Sequence, residues 1–445
     1  MSEGTSAGRG GFQTDLGFVL AAAGSAVGLG NIWKFPYITG EYGGGAFVLV
    51  YLGCIALVGL PLLYAEMIIG RRGGKDVLDS MSTLTAQTGM PGALASWGVG
   101  LLAVGSGFFI LSFYAVVAGW AVHFVALSLG ILSADPAGPE ATFAALAGNG
   151  PLSAWWHTVF MVLVVFVVAG GVQSGIERAC RILMPALMVI LLLLLVYVGI
   201  TGGLGASLSF LFRPDFSKLS ADAVLEALGH AFFTLSLGMG AMVTYGSYLK
   251  SDRHVVRDQL AVAFLDTGIA LIAGLVIFAV VFSMGAEPGA GPGLVFITLP
   301  DLFAKIPGGS VVAVSFFVLL VFAAWSSGIS LLEVVVALAI DRFGWNRRTA
   351  SIGFGLLIWG LGLPSAFSGE FLDFMDNLTT RYMLPVGGLL IALSAGWLLT
   401  KEDREAGFRA LPGGAPALAS AWTFTIRFVT PVLVLLVILN GIGVF

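Results

Sequence analysis

Apolar residues gather along the chain in eleven runs, each near the roughly 20 residues that carry a helix across a bilayer. The runs cover 16–38, 46–70, 94–129, 155–172, 180–201, 222–249, 259–285, 310–340, 350–364, 372–399 and 420–443. The third and eighth are longer than a bilayer requires, which predicts tilted or protruding helices. Two runs are interrupted. Ala23-Gly24-Ser25-Ala26-Val27-Gly28-Leu29-Gly30-Asn31 breaks the first at mid-depth, and Phe233-Thr234-Leu235-Ser236-Leu237-Gly238-Met239-Gly240 breaks the sixth at comparable depth. In lipid every freed backbone carbonyl needs a partner, so irregular backbone survives only inside protein or lining a cavity, where its oxygens can hold a cation. Gly24 and Gly28 could instead form a small-residue packing face between two helices.

The spacing of the two breaks weighs against simple packing. They lie five helices apart, an odd number, so a second five-helix unit enters the membrane with opposite polarity. This predicts repeats over 16–201 and 222–399, with 420–443 an added eleventh helix. Paired broken helices in an inverted repeat point to a site at the bilayer midplane.

Composition narrows the class. A chain 58% hydrophobic, 10% charged, with 62 glycines and mean hydropathy +0.98 is a polytopic helical membrane protein rather than a soluble globule. The net charge of −4 says less than where the charges lie. With the N-terminus inside, 15 of the 21 basic residues fall on the cytoplasmic side: Arg9, Arg71, Arg72, Lys75, Arg178, Arg181, Lys250, Arg253, Arg257, Arg342, Arg347, Arg348, Lys401, Arg404 and Arg409. Arg213, Lys218, Lys305 and Arg381 fall outside, and Lys34 and Arg427 lie within helices. This bias predicts a cytoplasmic N-terminus and an extracytoplasmic C-terminus. The first sixteen residues are polar and Gly-rich, so no cleavable signal is expected. Cys54 and Cys180 stand in apolar contexts and imply neither a disulfide framework nor a metal cluster. His123, His157, His230 and His254 are scattered, and no Gly-x-Ser-x-Gly elbow or nucleotide-binding loop is present, which argues against an enzyme or an ATP-driven pump. Nothing points to nucleic acid or an obligatory protein partner. A channel stays open as an alternative, because oxygen-lined breaks can also conduct.

Gly24 through Pro36, with Asn31-Ile32-Trp33-Lys34-Phe35 at its centre, resembles the first-helix signature of the neurotransmitter:sodium symporter family. Gly43-Gly44-Gly45-Ala46-Phe47, Pro61-Leu62, Glu66, Ser112-Phe113-Tyr114, Phe232 to Gly240 and Ala323-Ala324-Trp325-Ser326-Ser327 match in family order over nearly the whole chain. The resemblance implies an all-α, five-plus-five inverted-repeat fold of the leucine-transporter type, in its bacterial eleven-helix amino-acid branch, seated in the bacterial plasma membrane. It also implies two sodium sites. The first takes Ala26, Asn31, Thr234 and Asp266; the second takes Gly24, Val27, Ala323, Ser326 and Ser327. Without the resemblance, Ser326 and Ser327 read as hydroxyls bonding back to their own helix, and Asp266 as a carboxylate paired with Arg257.

By the same resemblance Gly28 replaces the Asp of amine carriers, leaving space for the carboxylate of a zwitterionic amino acid, with Tyr114 donating to it and Gly30 at the start of the following half-helix. The side-chain pocket is read from Ser25, Ile110, Phe233, Ser236, Met239, Ser330 and Leu331, which suits hydrophobic or aromatic L-amino acids; a small neutral osmolyte is the alternative. Asp266 supplies the negative charge that chloride supplies in relatives, predicting chloride independence and a returning proton. Lys34 with Asp376 resembles the outer latch, under which Phe233 and Tyr114 form a lid; Arg9 with Asp341, helped by Tyr248, resembles the inner one, although Arg9 also fits plain positive-inside topology. Gly175 and Pro185, nine residues between them, match a pattern for local unwinding of the fifth helix, or else mark a helix start and a kink.

Overall fold

A computed structural model of the chain describes residues 10–85, 96–250, 254–288, 291–409, 411 and 414–444. Among these there are helices and loops and no strand. Nine continuous helices are long and apolar enough to cross a membrane: α2 (Gly45–Gly73), α3 (Trp97–Ser128), α4 (Gly150–Ala169), α5 (Val172–Thr201), α7 (Val255–Ser283), α8 (Gly309–Phe343), α9 (Arg347–Phe367), α10 (Gly369–Trp397) and α11 (Pro416–Gly441). The other two crossings are broken. α1 consists of Asp15–Ala26 and Gly30–Glu41, bent by 51°. α6 consists of Ala221–Thr234 and Ala241–Gly246.

Polar caps account for most differences from the apolar runs. α4 starts at Gly150 rather than 155 because the Asn149 side chain accepts from the Leu152 amide at 3.1 Å, with Pro151 in the first turn. α9 starts at Arg347 because Asn346 accepts from the Thr349 amide at 2.9 Å. α5 is wound from Val172, eight residues before the apolar run at 180, and Pro185 lies inside it. α3 and α8 have 32 and 35 residues, about 50 Å of helix against a hydrocarbon core of roughly 30 Å. They overreach as the sequence predicts.

Burial separates core from rim. In α3, 72% of the spanning window is buried, against 33% in α5 and 28% in α11. The two broken helices sit inside, α1 packed against α5, α7 and α8, and α6 against α2, α8 and α11. Phe18, Phe35, Tyr51, Phe232 and Phe317 are fully enclosed there, so the irregular backbone at each break is surrounded by protein, as a bilayer requires.

Candidate functional site

The first arm of α1 ends where Val27 leaves the helical region at φ −70°, ψ 109°. The gap is closed by side chains. Gly28 N donates to Asn31 Oδ1 at 2.8 Å, and Leu29 N donates to the Tyr114 hydroxyl at 3.3 Å. In α6 the break is built on two residues at φ +77°, Gly238 and Gly240, a conformation that costs glycine little. Gly238 is doubly required: an added Cβ would lie 2.4 Å from the Leu384 carbonyl oxygen. Its amide donates to the buried Glu66 carboxylate at 2.7 Å.

Three elements converge beside these breaks. Asn31 Nδ2 lies 2.7 Å from Asp266 Oδ1 and 3.1 Å from Thr234 Oγ1, and the Thr234 hydroxyl is 3.1 Å from both carboxylate oxygens of Asp266. Asp266 is fully buried and spent on these contacts rather than on Arg257. The Asn31 carboxamide is placed with its nitrogen, not its oxygen, toward Asp266, so a cation held here through the Asn31 oxygen calls for a flip of that amide. Apart from this nitrogen the set is oxygen throughout, the chemistry a hard cation prefers.

The second cluster joins α8 to α1. The single Ser327 hydroxyl proton is within reach of three carbonyls, Val27 at 3.0 Å, Ser25 at 3.1 Å and Gly24 at 3.3 Å. Ser326 Oγ instead bonds back to Phe322 O at 3.1 Å and Ala323 O at 3.0 Å. The two serines therefore divide between the readings the sequence left open. An added Cβ on Gly24 would lie 3.1 Å from Ser326 Cβ, so all five expected residues are neighbours.

Between the clusters lies a cavity of about 20 Å³ walled by Ser25, Ala26, Gly28, Gly30, Ile110, Tyr114, Phe233, Ser236, Met239 and Leu331, together with Leu29 and Ser327. Thr234 and Ser330 stand one layer back; Ser330 Oγ reaches Ser25 Oγ at 2.7 Å. Gly28 lines this cavity, and the space a Cβ there would take is met by two hydroxyls, Ser327 Oγ at 2.6 Å and that of Tyr114 at 3.0 Å. Glycine permits this close approach. Leu29, Tyr114 and Phe233 also line a cavity of about 390 Å³ on the Lys34 side, so they form the partition between the two spaces.

A model of the sodium:neurotransmitter symporter family matches residues 9–134 and 145–445. The chain belongs to that family. It is 37% identical over 446 residues to the sodium-dependent transporter YhdH of Bacillus subtilis, covering 97% of this chain and 98% of that protein. A sodium-dependent transporter of Methanocaldococcus jannaschii is 30% identical over 87% of this chain and 81% of its own length. The crystal structure of MhsT in complex with L-phenylalanine is similar at TM-score 0.88 and 43% identity, covering 98% of this chain and 100% of that one. The chain is thus a sodium-dependent symporter, an integral membrane transporter and not an enzyme, built on the leucine-transporter-type fold.

At the outer gate of this symporter a further carboxylate joins the residues singled out by the sequence. Lys34 pairs with Glu226 on α6, Nζ to Oε1 3.3 Å, and its ammonium sits 5.8 Å from the Phe233 ring. Asp376 lines a second outer cavity, of about 420 Å³, together with Lys34 and Glu226, and acts on the Lys34 ammonium through space rather than by direct contact. Glu226 lies two turns before the α6 break on the side facing α1; its spacing from Phe233 was the available signal. On the opposite face Arg9 lies outside the described residues. Asp341 accepts from the Asp76 amide at 2.7 Å, and the Tyr248 hydroxyl donates to Glu333. Glu333 is fully buried and held by Arg347 through two bonds of 2.7 and 3.0 Å, the bidentate geometry a guanidinium favours. The sequence reading passed over Glu333, although a carboxylate within a spanning helix is by itself a functional signal. Gly175 and Pro185 lie in a continuous α5, wound in this structure. Cys54 and Cys180 are both free thiols.

Proposed function

We propose that this symporter couples sodium entry to the import of hydrophobic or aromatic L-amino acids by alternating access. The observation that carries the substrate class is the central cavity wall: Ile110, Phe233, Met239 and Leu331 with hydroxyls from Ser25, Ser236 and Tyr114, and no charged side chain. A zwitterion finds there hydroxyls and half-helix amides for its carboxylate, and an apolar remainder for its side chain. Similarity to MhsT, solved with L-phenylalanine, supports the same reading. Met239 adapts to side chains of several sizes. At about 20 Å³ the cavity holds little more than a water, so substrate entry requires the Phe233–Tyr114 partition to move.

Two sodium ions bind, one at Ala26, Asn31, Thr234 and Asp266, the other at Gly24, Val27, Ala323, Ser326 and Ser327. Asp266 carries the charge balance, so transport is chloride-independent and a proton returns on the emptied carboxylate. The repeats 16–201 and 222–399 rock about this midplane site in the bacterial inner membrane, with the Lys- and Arg-rich face cytoplasmic. The test is uptake of radiolabelled L-phenylalanine into vesicles, with and without sodium, against a panel of unlabelled competitors. Competition by Leu, Ile, Val, Met, Tyr and Trp supports the reading; competition only by glycine, GABA or a betaine overturns it. Replacing chloride by gluconate leaves uptake intact.

A further inference from the structure

Outside the transport site, two arginines converge where α10 ends. Arg427, inside the apolar span of α11, donates Nε to the Gly396 carbonyl at 2.6 Å. Arg404, on the connecting helix Lys401–Arg409, donates Nη1 to Leu399 O at 2.5 Å and to the same Gly396 carbonyl at 3.4 Å. One cation at a helix C-terminus is ordinary capping. Two sharing a carbonyl bring like charges together, met only weakly and at longer range by the Glu405 carboxylate. Among the described residues neither arginine forms an ion pair: Asp403 is engaged by Arg72, and Glu405 by Arg409 and Lys401. The Nη groups of Arg427 have no hydrogen-bond partner among the described residues. Burial, and then the adjacent Arg427 charge, push the Arg404 pKa down, while Glu405 more weakly pulls it up.

The place is held rigid and faces lipid. The Tyr64 hydroxyl donates to Arg404 O and accepts from Gly407 N, both at 3.1 Å. Arg427 lies over the Trp397 ring at 4.9 Å, and an added Cβ on Gly396 would sit 2.9 Å from its Cγ. Around it Trp397, Phe424 and Phe428 are 55%, 60% and 49% exposed, in the manner of aromatic side chains at a membrane–water interface. A charged group in such a span is costly unless something opposite meets it.

We propose that this pocket binds the phosphate of an anionic phospholipid, with Arg404 and Arg427 as its two cationic ligands and the exposed aromatic rings beside its acyl chains. Basic pockets between helices at the bilayer edge recognise such headgroups. The exposed rings commit the site to a lipid rather than to a free anion. It lies apart from the substrate cavity and does not depend on what is transported.

The test reconstitutes the full chain in nanodiscs of mixed phosphatidylglycerol and phosphatidylcholine and counts retained lipid by native mass spectrometry. The wild type retains phosphatidylglycerol preferentially. R404Q and R427Q each lower that enrichment about fivefold, and R427K, which keeps the charge, restores most of it. A single monodisperse peak in size-exclusion chromatography and an unchanged Tm serve as the folding check; R404Q, on the half-exposed connecting helix, answers the question even where R427Q does not fold. Equal enrichment in wild type and R404Q overturns the proposal. So does stabilisation by inorganic phosphate in pure phosphatidylcholine nanodiscs that matches the effect of phosphatidylglycerol.

Discussion

The Asn31 side-chain nitrogen stands 2.7 Å from Asp266 Oδ1, joining residues 235 apart in the chain, and Thr234 completes the triangle at 3.1 Å. Three helices, α1, α6 and α7, therefore meet on one buried carboxylate. Asp266→Asn keeps the size and removes the charge. Expected is a sodium requirement raised about 10- to 100-fold, the usual cost of altering a metal site's supporting charge. Sodium titration of L-phenylalanine uptake reads it, and an unchanged half-saturation point removes Asp266 from the sodium site.

Ser327 and Ser326 are adjacent, yet their hydroxyls serve different helices. Ser327→Ala removes the one hydroxyl donor within reach of three carbonyls at the α1 break, and a buried acceptor left unmet costs about 1–3 kcal/mol. Ser326→Ala removes only bonds within its own helix and is near neutral. Thermal unfolding in sodium-free buffer should lower Tm for the first variant alone. Equal losses would show that the Ser327 bridge carries no special weight.

Gly28 is read here as a position of close approach. In Gly28→Ala the new methyl meets Ser327 Oγ at 2.6 Å and the Tyr114 hydroxyl at 3.0 Å, so both side chains must shift from their partners. Overpacking of this kind costs about 1–3 kcal/mol, or about 5- to 150-fold in affinity if it falls on the bound state. Equilibrium binding of L-phenylalanine measures it, and wild-type affinity refutes the reading.

Asp76, in the loop after α2, gives a pH signature. Burial, then the charge of Asp79 and more weakly that of Asp341, pushes its carboxyl from 3.8 to about 6, while amide donors from Asp79 and Leu78 pull the other way. A raised native pKa means the folded state holds the proton more tightly. The stability this contributes is full below about pH 4 and lost as pH rises through about 6. Asp76→Asn should therefore flatten the fall in Tm over that window and leave the variant more stable than wild type at pH 7. Parallel curves for the two proteins would contradict it.

The fold was legible because membrane helices must be long and apolar, and because a glycine-rich break at mid-depth has few tolerable explanations. Ser25, Ala26, Gly28, Gly30, Phe233 and Ser236 line one cavity because they belong to the two breaks, whereas Ile110 and Leu331, which complete its wall from unbroken helices, carry no such local mark and were legible only through the family resemblance. That Lys34 makes its close contact with Glu226 while Asp376 acts on it from farther off is decided by rotamer and helix rotation, which spacing does not encode. Glu333 was passed over because its partners Tyr248 and Arg347 come from separate segments of the chain. The roles of Ser326 and Ser327 depend on which serine faces α1, a matter of about 100° of helix rotation per residue.

Glu177 fastens the first arm of α1 to the start of α5. Its Oε2 accepts from Gln13 N at 2.8 Å, and its Oε1 from the Thr14 hydroxyl at 2.7 Å and the Thr14 amide at 3.3 Å. The clamp sits two residues beyond Gly175 and eight before Pro185, whose missing amide weakens the turn around it. Freeing α1 therefore also frees the segment best suited to unwind. Cys180, fully buried between Gly175 and Pro185, is a native reporter of that event. In a Cys54→Ala background, Glu177→Gln, which loses the charge on those bonds, should quicken alkylation of Cys180. Pro185→Ala, which returns a helical hydrogen bond, should slow both alkylation and transport turnover with L-phenylalanine affinity unchanged. If α5 stays wound throughout the cycle, all three proteins label at one rate, and release of sodium must find another route.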